Sequence, residues 1–147
     1  MTKETENRTE YTMPDFIVID DDFINNVICQ QVILCEMPGA KVDIYLNANK
    51  GFEYINEVYS GQGAKNAVLF LDINMPALNG WDILEMLSES PALQKQQLKI
   101  YLLSSSVTPE DKQKADDAAL VAGYIEKPLT QAQLQAIFSG HILSKGY

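Results

Sequence analysis

"LFLDINMP", Leu69–Pro76, carries an apolar run onto a single carboxylate, Asp72, and then changes direction at Met75-Pro76. A residue before proline avoids the helical region, so the chain must leave in an extended or turning path. An ionised carboxylate is costly to desolvate unless something pairs with it. Asp72 therefore either caps a turn or stands at a mouth where charge is wanted. Extended back to Ala67, the stretch becomes "AVLFLD", which reads as a strand buried on both faces.

Outward from this strand the pattern alternates. Upstream, "FIVID" (Phe16–Asp20) is a second continuous apolar run that ends on acids, Asp20 and Asp21. Asp22 is a plausible N-cap for a helix over Phe23–Glu36, with Ile24, Val27, Ile28 and Val32 at helical spacing. "VDIYLN" (Val42–Asn47) alternates and reads as a strand nearer an edge. Phe52, Ile55 and Tyr59 mark a second helix, placed before Gly61–Gly63. Downstream of Asp72, Trp81, Leu84 and Leu87 mark a third helix closed before Pro91, with all three expected in the core. "IYLLS" (Ile100–Ser104) is a fourth strand. Thr108, Pro109, Glu110 and Asp111 together signal a helix start. "GYIEKP" (Gly123–Pro128) holds a short fifth strand, and Thr130 with Gln133 forms a capping box for a last helix carrying Leu134, Ile137 and Phe138.

Five such βα units imply a three-layer α/β/α domain with a five-stranded parallel sheet. The expected organisation is a disordered leader over residues 1–14 and one domain over 15–147, with no output domain. The 147 residues are 46% hydrophobic, enough for a real core. No apolar run is long enough to cross a membrane and the N-terminus lacks a secretory h-region, so the protein is expected in the cytoplasm. A net charge of −9 argues against a nucleic-acid surface and suits basic partners or divalent cations. Cys29 and Cys35 are read as buried small hydrophobes, and His141 as a surface residue.

In an open parallel sheet, ligands bind outside the carboxyl ends of the strands. Those ends supply Asp20-Asp21, Asp72, Ser104 and Lys127-Pro128: three carboxylates, a hydroxyl and an ammonium. Three adjacent carboxylates cannot all stay ionised without counter-charge. A hard divalent cation, Mg²⁺ or Mn²⁺, would supply it, with Asp21 and Asp72 as direct ligands, Asp20 through water and Asn74 through its backbone carbonyl. Asp72 could then act as nucleophile toward a phosphoryl group, with Lys127 and Ser104 neutralising charge on the oxygens. A cis Lys127-Pro128 bond would hold the lysine at the strand end.

"VIDDDF", "LFLDINMPALNGW", "LLSSS" and "GYIEKP" resemble, in order and spacing, the signature segments of the response-regulator receiver domain of two-component signalling, across roughly Asp15 to Gly140. The resemblance implies a flavodoxin-like fold with strand order 2-1-3-4-5, an order the chemotaxis receiver exemplifies. It implies that Asp20 and Asp21 are the acid pair, Asp72 the phosphoacceptor, Ser104 the switch hydroxyl, Lys127 the lysine of the site and Tyr124 the aromatic switch residue. The serine run leaves Ser104 and Ser105 as candidates, and the offset from Pro109 favours Ser104. It further implies a histidine kinase or phosphotransfer protein as donor, an unknown downstream protein as target, a monomer or weak dimer, and signalling by the face of helix 4, strand 5 and helix 5. Such a receiver assists its own phosphorylation and dephosphorylation and is not a turnover enzyme.

Two other functions compete. Haloacid-dehalogenase-like phosphatases also place an Asp nucleophile after an apolar strand, but want a second Asp two residues on, where this chain has Asn74, and carry their metal-binding acids late. A phosphorylation-independent scaffold would keep the fold without needing the full acid set.

Overall fold

The computed structural model describes residues 13–61, 65–75, 80–90, 98–105 and 108–138. The elements alternate as β1 (Asp15–Ile19), α1 (Phe23–Glu36), β2 (Val42–Tyr45), α2 (Ala48–Tyr59), β3 (Ala67–Asp72), α3 (Gly80–Leu87), β4 (Leu98–Ser104), α4 (Pro109–Asp117), β5 (Val121–Glu126) and α5 (Gln131–Ile137). All strand pairs are parallel and the order is β2-β1-β3-β4-β5. The alternation implied these α/β/α layers, and the family resemblance the flavodoxin-like strand order.

The sheet is central because its strands are apolar on both faces. Phe16, Val18, Val68, Phe70, Tyr101 and Leu103 point to one side, where Cys29 and Ile33 of α1 and Leu134 and Ile137 of α5 cover them. Ile17, Ile19, Leu69, Leu71, Ile100 and Leu102 point to the other, against Ile55 and Tyr59 of α2, Ile83 and Leu87 of α3 and Ala115 of α4. Only β2 lies half-buried along its length, as its alternating sequence and edge position require.

Three helix starts follow from local chemistry. Asp22 Oδ1 accepts from the backbone N–H of Ile24 at 3.0 Å, Thr108 caps α4 through Asp111 N–H at 3.1 Å, and the Thr130–Gln133 capping box opens α5. Boundaries differ from expectation where side chains compete for the backbone. The second strand stops at Tyr45, not Asn47, because the Asn47 side chain accepts from Lys50 N–H at 3.0 Å and caps α2. The fourth strand starts earlier, at Leu98, and the fifth is six residues long.

Two core assignments need correction. Cys29 is buried, but Cys35 is exposed, because α1 packs only its inner stripe on the sheet. Trp81 is half-buried at the rim of the core, with the Lys114 ammonium 4.5 Å from its ring centroid. Residues 1–12 of the leader expected over 1–14, together with Gly63, Pro76, Pro91 and His141, lie outside the described residues. Among the described residues, no helix is long and apolar enough to cross a membrane.

Candidate functional site

Neighbouring strands deliver the acids. Ile19 of β1 pairs with Leu71 of β3, so the residues that follow them, Asp20 and Asp72, emerge side by side. They leave at the centre of the sheet, where the strand order turns back on itself and an open α/β sheet forms its crevice. Carboxylate oxygens of Asp20, Asp21 and Asp72 lie within 4.8 Å of one another.

The three acids stand in different surroundings. Asp20 is fully buried and saturated: Oδ1 accepts from Asp22 N–H at 2.9 Å, and Oδ2 accepts from Asn25 Nδ2 at 2.7 Å and faces Lys127 Nζ at 2.7 Å. Asp72 is 2% exposed; its Oδ1 accepts from Asn74 N–H at 3.0 Å and its Oδ2 lies 3.4 Å from Lys127 Nζ. Asp21 is exposed, and among the described residues its carboxylate has no hydrogen bond or ion pair.

Lys127 reaches the acids from β5, across the end of β4. Its backbone N–H donates to the Ser104 carbonyl at 2.7 Å, and the Lys127-Pro128 bond is cis. Burial by itself would lower the lysine's pKa, but the hydrogen bond and charge of Asp20, aided by Asp72, raise it. The ammonium therefore stays charged. Burial pushes the Asp72 carboxyl up to about 6, with the charge of Asp20 adding and the Asn74 N–H and Lys127 pulling back. A site in which one ammonium faces three carboxylates has the donor set and the charge deficit that a hard divalent cation fits.

The remaining candidates surround this pocket. Ser104 is buried at the end of β4, and its Oγ accepts from Asn74 Nδ2 at 3.0 Å, whereas Ser105 is exposed. The hydroxyl facing the Asp72 loop is thus that of Ser104. Tyr124 sits half-buried on β5; burial raises its phenol pKa and the Ser104 side chain lowers it part of the way back. Asn74 touches both Asp72 and Ser104, so it belongs to the site by more than its backbone.

Sequence reasoning missed two residues. Asn25 and Asn26, buried in the first turn of α1, hold Asp20 by its carboxylate and, from Asn26 Nδ2, by its carbonyl at 2.9 Å. The available signal was a pair of amides in the first turn of the helix, directly after the acids. The buried thiol of Cys29 lies under the same pocket; burial and the Asp20 charge push its pKa up to about 12, which leaves it inert.

Fold and pocket together define a flavodoxin-like α/β domain with an acid site at its topological switch point. Comparison with known proteins places it more narrowly. The model of the response regulator receiver domain matches residues 16–139, and the chain belongs to that family of two-component signalling domains. It is similar to a two-component response regulator from Cytophaga hutchinsonii, with a TM-score of 0.78, 28% identity, and 90% of this chain and 98% of that one covered. A response regulator receiver protein from Dyadobacter fermentans shares the fold at a TM-score of 0.78 and 20% identity, covering 87% of this chain and 97% of that one. The hybrid signal transduction histidine kinase L of Dictyostelium discoideum is 26% identical over 136 residues; these are 92% of this chain and 8% of that protein.

Proposed function

We propose that this receiver domain accepts a phosphoryl group on Asp72 from a histidine of a kinase or phosphotransfer protein, in a reaction that needs Mg²⁺ or Mn²⁺. The observation that carries the reading is the pocket itself: oxygens of Asp20, Asp21 and Asp72 within 4.8 Å, with Lys127 on the buried side. Asp21, Asp72 and the Asn74 carbonyl would hold the cation directly, and Asp20 through water. Once bound, it would offset the carboxylate charge and neutralise phosphoryl oxygens.

The chain's own groups then have defined tasks. An ionised Asp72 oxygen attacks phosphorus in line while the bond from phosphorus to the donor's imidazole nitrogen breaks. Lys127, already 3.4 Å from Asp72, pairs with an oxygen of the transferred group. Ser104 gives up its contact with Asn74 and donates its hydroxyl to another. Tyr124 follows into the space behind Ser104, and the face of α4, β5 and α5 is repacked. This is a population shift biased by the new phosphoryl contacts. Water attack on the aspartyl phosphate ends the signal, so the domain assists its own reset without being a turnover enzyme.

The donor has a surface to approach on. Helix α1 carries no charged residue from Phe23 to Cys35, and Phe23 and Ile24, 56% and 64% exposed, stand directly after the acid pair. Exposed apolar groups beside a charged pocket suit a protein partner.

The test is incubation with acetyl phosphate and Mg²⁺, followed by intact-protein mass measurement. Wild type gains one phosphoryl group; Asp72→Asn gains none. No gain in wild type, or an equal gain in the variant, overturns the reading. Neither the phosphatase nor the scaffold is favoured. Asn74 is committed to Ser104 where a general acid would be needed, and the complete acid set has no purpose in a bare scaffold.

A further inference from the structure

Two donors meet at one oxygen of Asp20. Asn25 Nδ2 lies 2.7 Å from Oδ2, and Lys127 Nζ lies 2.7 Å from the same atom. Both Asp20 and Asn25 are buried, so loss of either donor leaves the oxygen short of a partner in the protein interior. A buried carboxylate stripped of a partner is strongly destabilising. Yet the reaction requires Lys127 to leave: it is nearer Asp20, at 2.7 Å, than Asp72, at 3.4 Å, and must turn toward a group carried by Asp72.

The identity of residue 25 matters here. An apolar side chain on the inner face of α1 would pack against the sheet, as Cys29 and Ile33 do. A lysine or arginine would satisfy Asp20 but cancel the negative charge that draws a cation. A neutral amide satisfies the oxygen and leaves the charge. Asn25 also sits where α1 begins, its backbone held by Asp22 Oδ1 at 3.5 Å, and Asn26 fixes the Asp20 carbonyl at 2.9 Å.

We propose that Asn25 is a positioning residue of the acid pocket: its amide fixes the Asp20 carboxylate toward the cation site and keeps it hydrogen-bonded when Lys127 turns to the phosphoryl group. The second half rests on the phosphoacceptor reading; the first does not.

The experiment uses the full chain with Asn25→Leu, which keeps the branching at Cγ without the amide, and Asn25→Ser should the leucine variant fail to fold. Mg²⁺ alone is titrated, with the thermal midpoint and Trp81 fluorescence as readouts. Loss of a group that orients a metal ligand weakens metal binding about 10-fold or more, and that is the expected result. Unchanged Mg²⁺ affinity overturns the proposal. A metal-free double-mutant cycle with Lys127→Met reads the shared oxygen. The midpoint loss of the double variant exceeds the sum of the single losses, and the excess disappears in an Asp20→Asn background. Additive losses overturn the shared-donor argument. If wild type takes no phosphoryl group from acetyl phosphate, the receiver function fails while Mg²⁺ affinity and the cycle still decide the role of Asn25.

Discussion

Removing the Asp72 charge is expected to make the metal-free protein more stable. Burial raises this carboxyl from 3.8 to about 6 in the folded chain. In the unfolded chain an Asp titrates near ~3.9. The folded state thus holds the proton more tightly. Stability from this group is fully present below about pH 4 and is lost as pH rises through about 6. Two units at roughly 1.4 kcal/mol each give a loss of about 3 kcal/mol by pH 7.5. Asp72→Asn keeps the acceptor for Asn74 N–H but gives up the Lys127 contact at 3.4 Å, which returns part of that gain. The expected net effect is about 1–3 kcal/mol of stabilisation at pH 7.5, and close to none at pH 4. Urea unfolding in EDTA at pH 4, 6 and 7.5 measures it. Saturating Mg²⁺ should then reverse the ranking, because only wild type keeps its full acid set. Identical pH dependence for the two proteins in EDTA would refute the reasoning, as would a variant less stable than wild type at pH 7.5.

Gly51→Ala in α2 should destabilise the fold despite the helical preference for alanine of about 1 kcal/mol. A Cβ there would meet Ile19 Cδ1 at 2.5 Å and Cγ1 at 2.8 Å, and Ile19 is fully buried; overpacking of about 1–3 kcal/mol wins. A neutral or raised urea midpoint would show that Ile19 simply rotates away. Ile24→Asp, at a side chain 64% exposed, should change stability by no more than about 0.5 kcal/mol. It should nevertheless slow phosphoryl transfer from a donor protein far more than from acetyl phosphate. An equal effect on both rates would remove α1 as the docking surface.

The strands were legible because a parallel sheet is buried on both faces, so Phe16–Ile19 of β1, Ala67–Leu71 of β3 and Ile100–Leu103 of β4 are unbroken apolar runs. The acids stood out against them for the same reason: each lies at the first position where the run stops. Helix starts were legible where a cap is a short side chain with a fixed offset, as at Asp22, Thr108 and Thr130. Asn47 was misplaced because an asparagine after an alternating stretch reads equally as a last strand residue or a cap, and only the bond to Lys50 N–H decides. Cys35 was misplaced because α1 carries apolar residues on its outer side as well, Ile24 and Ile28 among them, so the pattern does not reveal which side meets the sheet. Asn25 and Asn26 were passed over because amides in a first helical turn usually face water. Their partner, Asp20, lies five and six residues away across the turn that starts the helix.

That omission bears on how the pocket is built. The groups that meet Asp20, Asp72 and Ser104 include three neutral amides: Asn25 Nδ2, the backbone N–H of Asn74 and Asn74 Nδ2. Cations in those places would hold the oxygens equally well and would leave no net charge. Orientation is assigned to dipoles, and among the described residues one full positive charge, Lys127, stands inside. Burial is what chiefly lifts the Asp72 carboxyl to about 6, the charge of Asp20 adds to it, and that negative charge is what a divalent cation would neutralise. A pocket whose acids were already matched by lysines would be more stable at neutral pH and would have little affinity for a cation. The repulsion between Asp20 and Asp72 thus contributes both to the destabilisation expected of ionised Asp72 and to the capacity to bind Mg²⁺, and a substitution that relieves it by removing a carboxylate must weaken the binding.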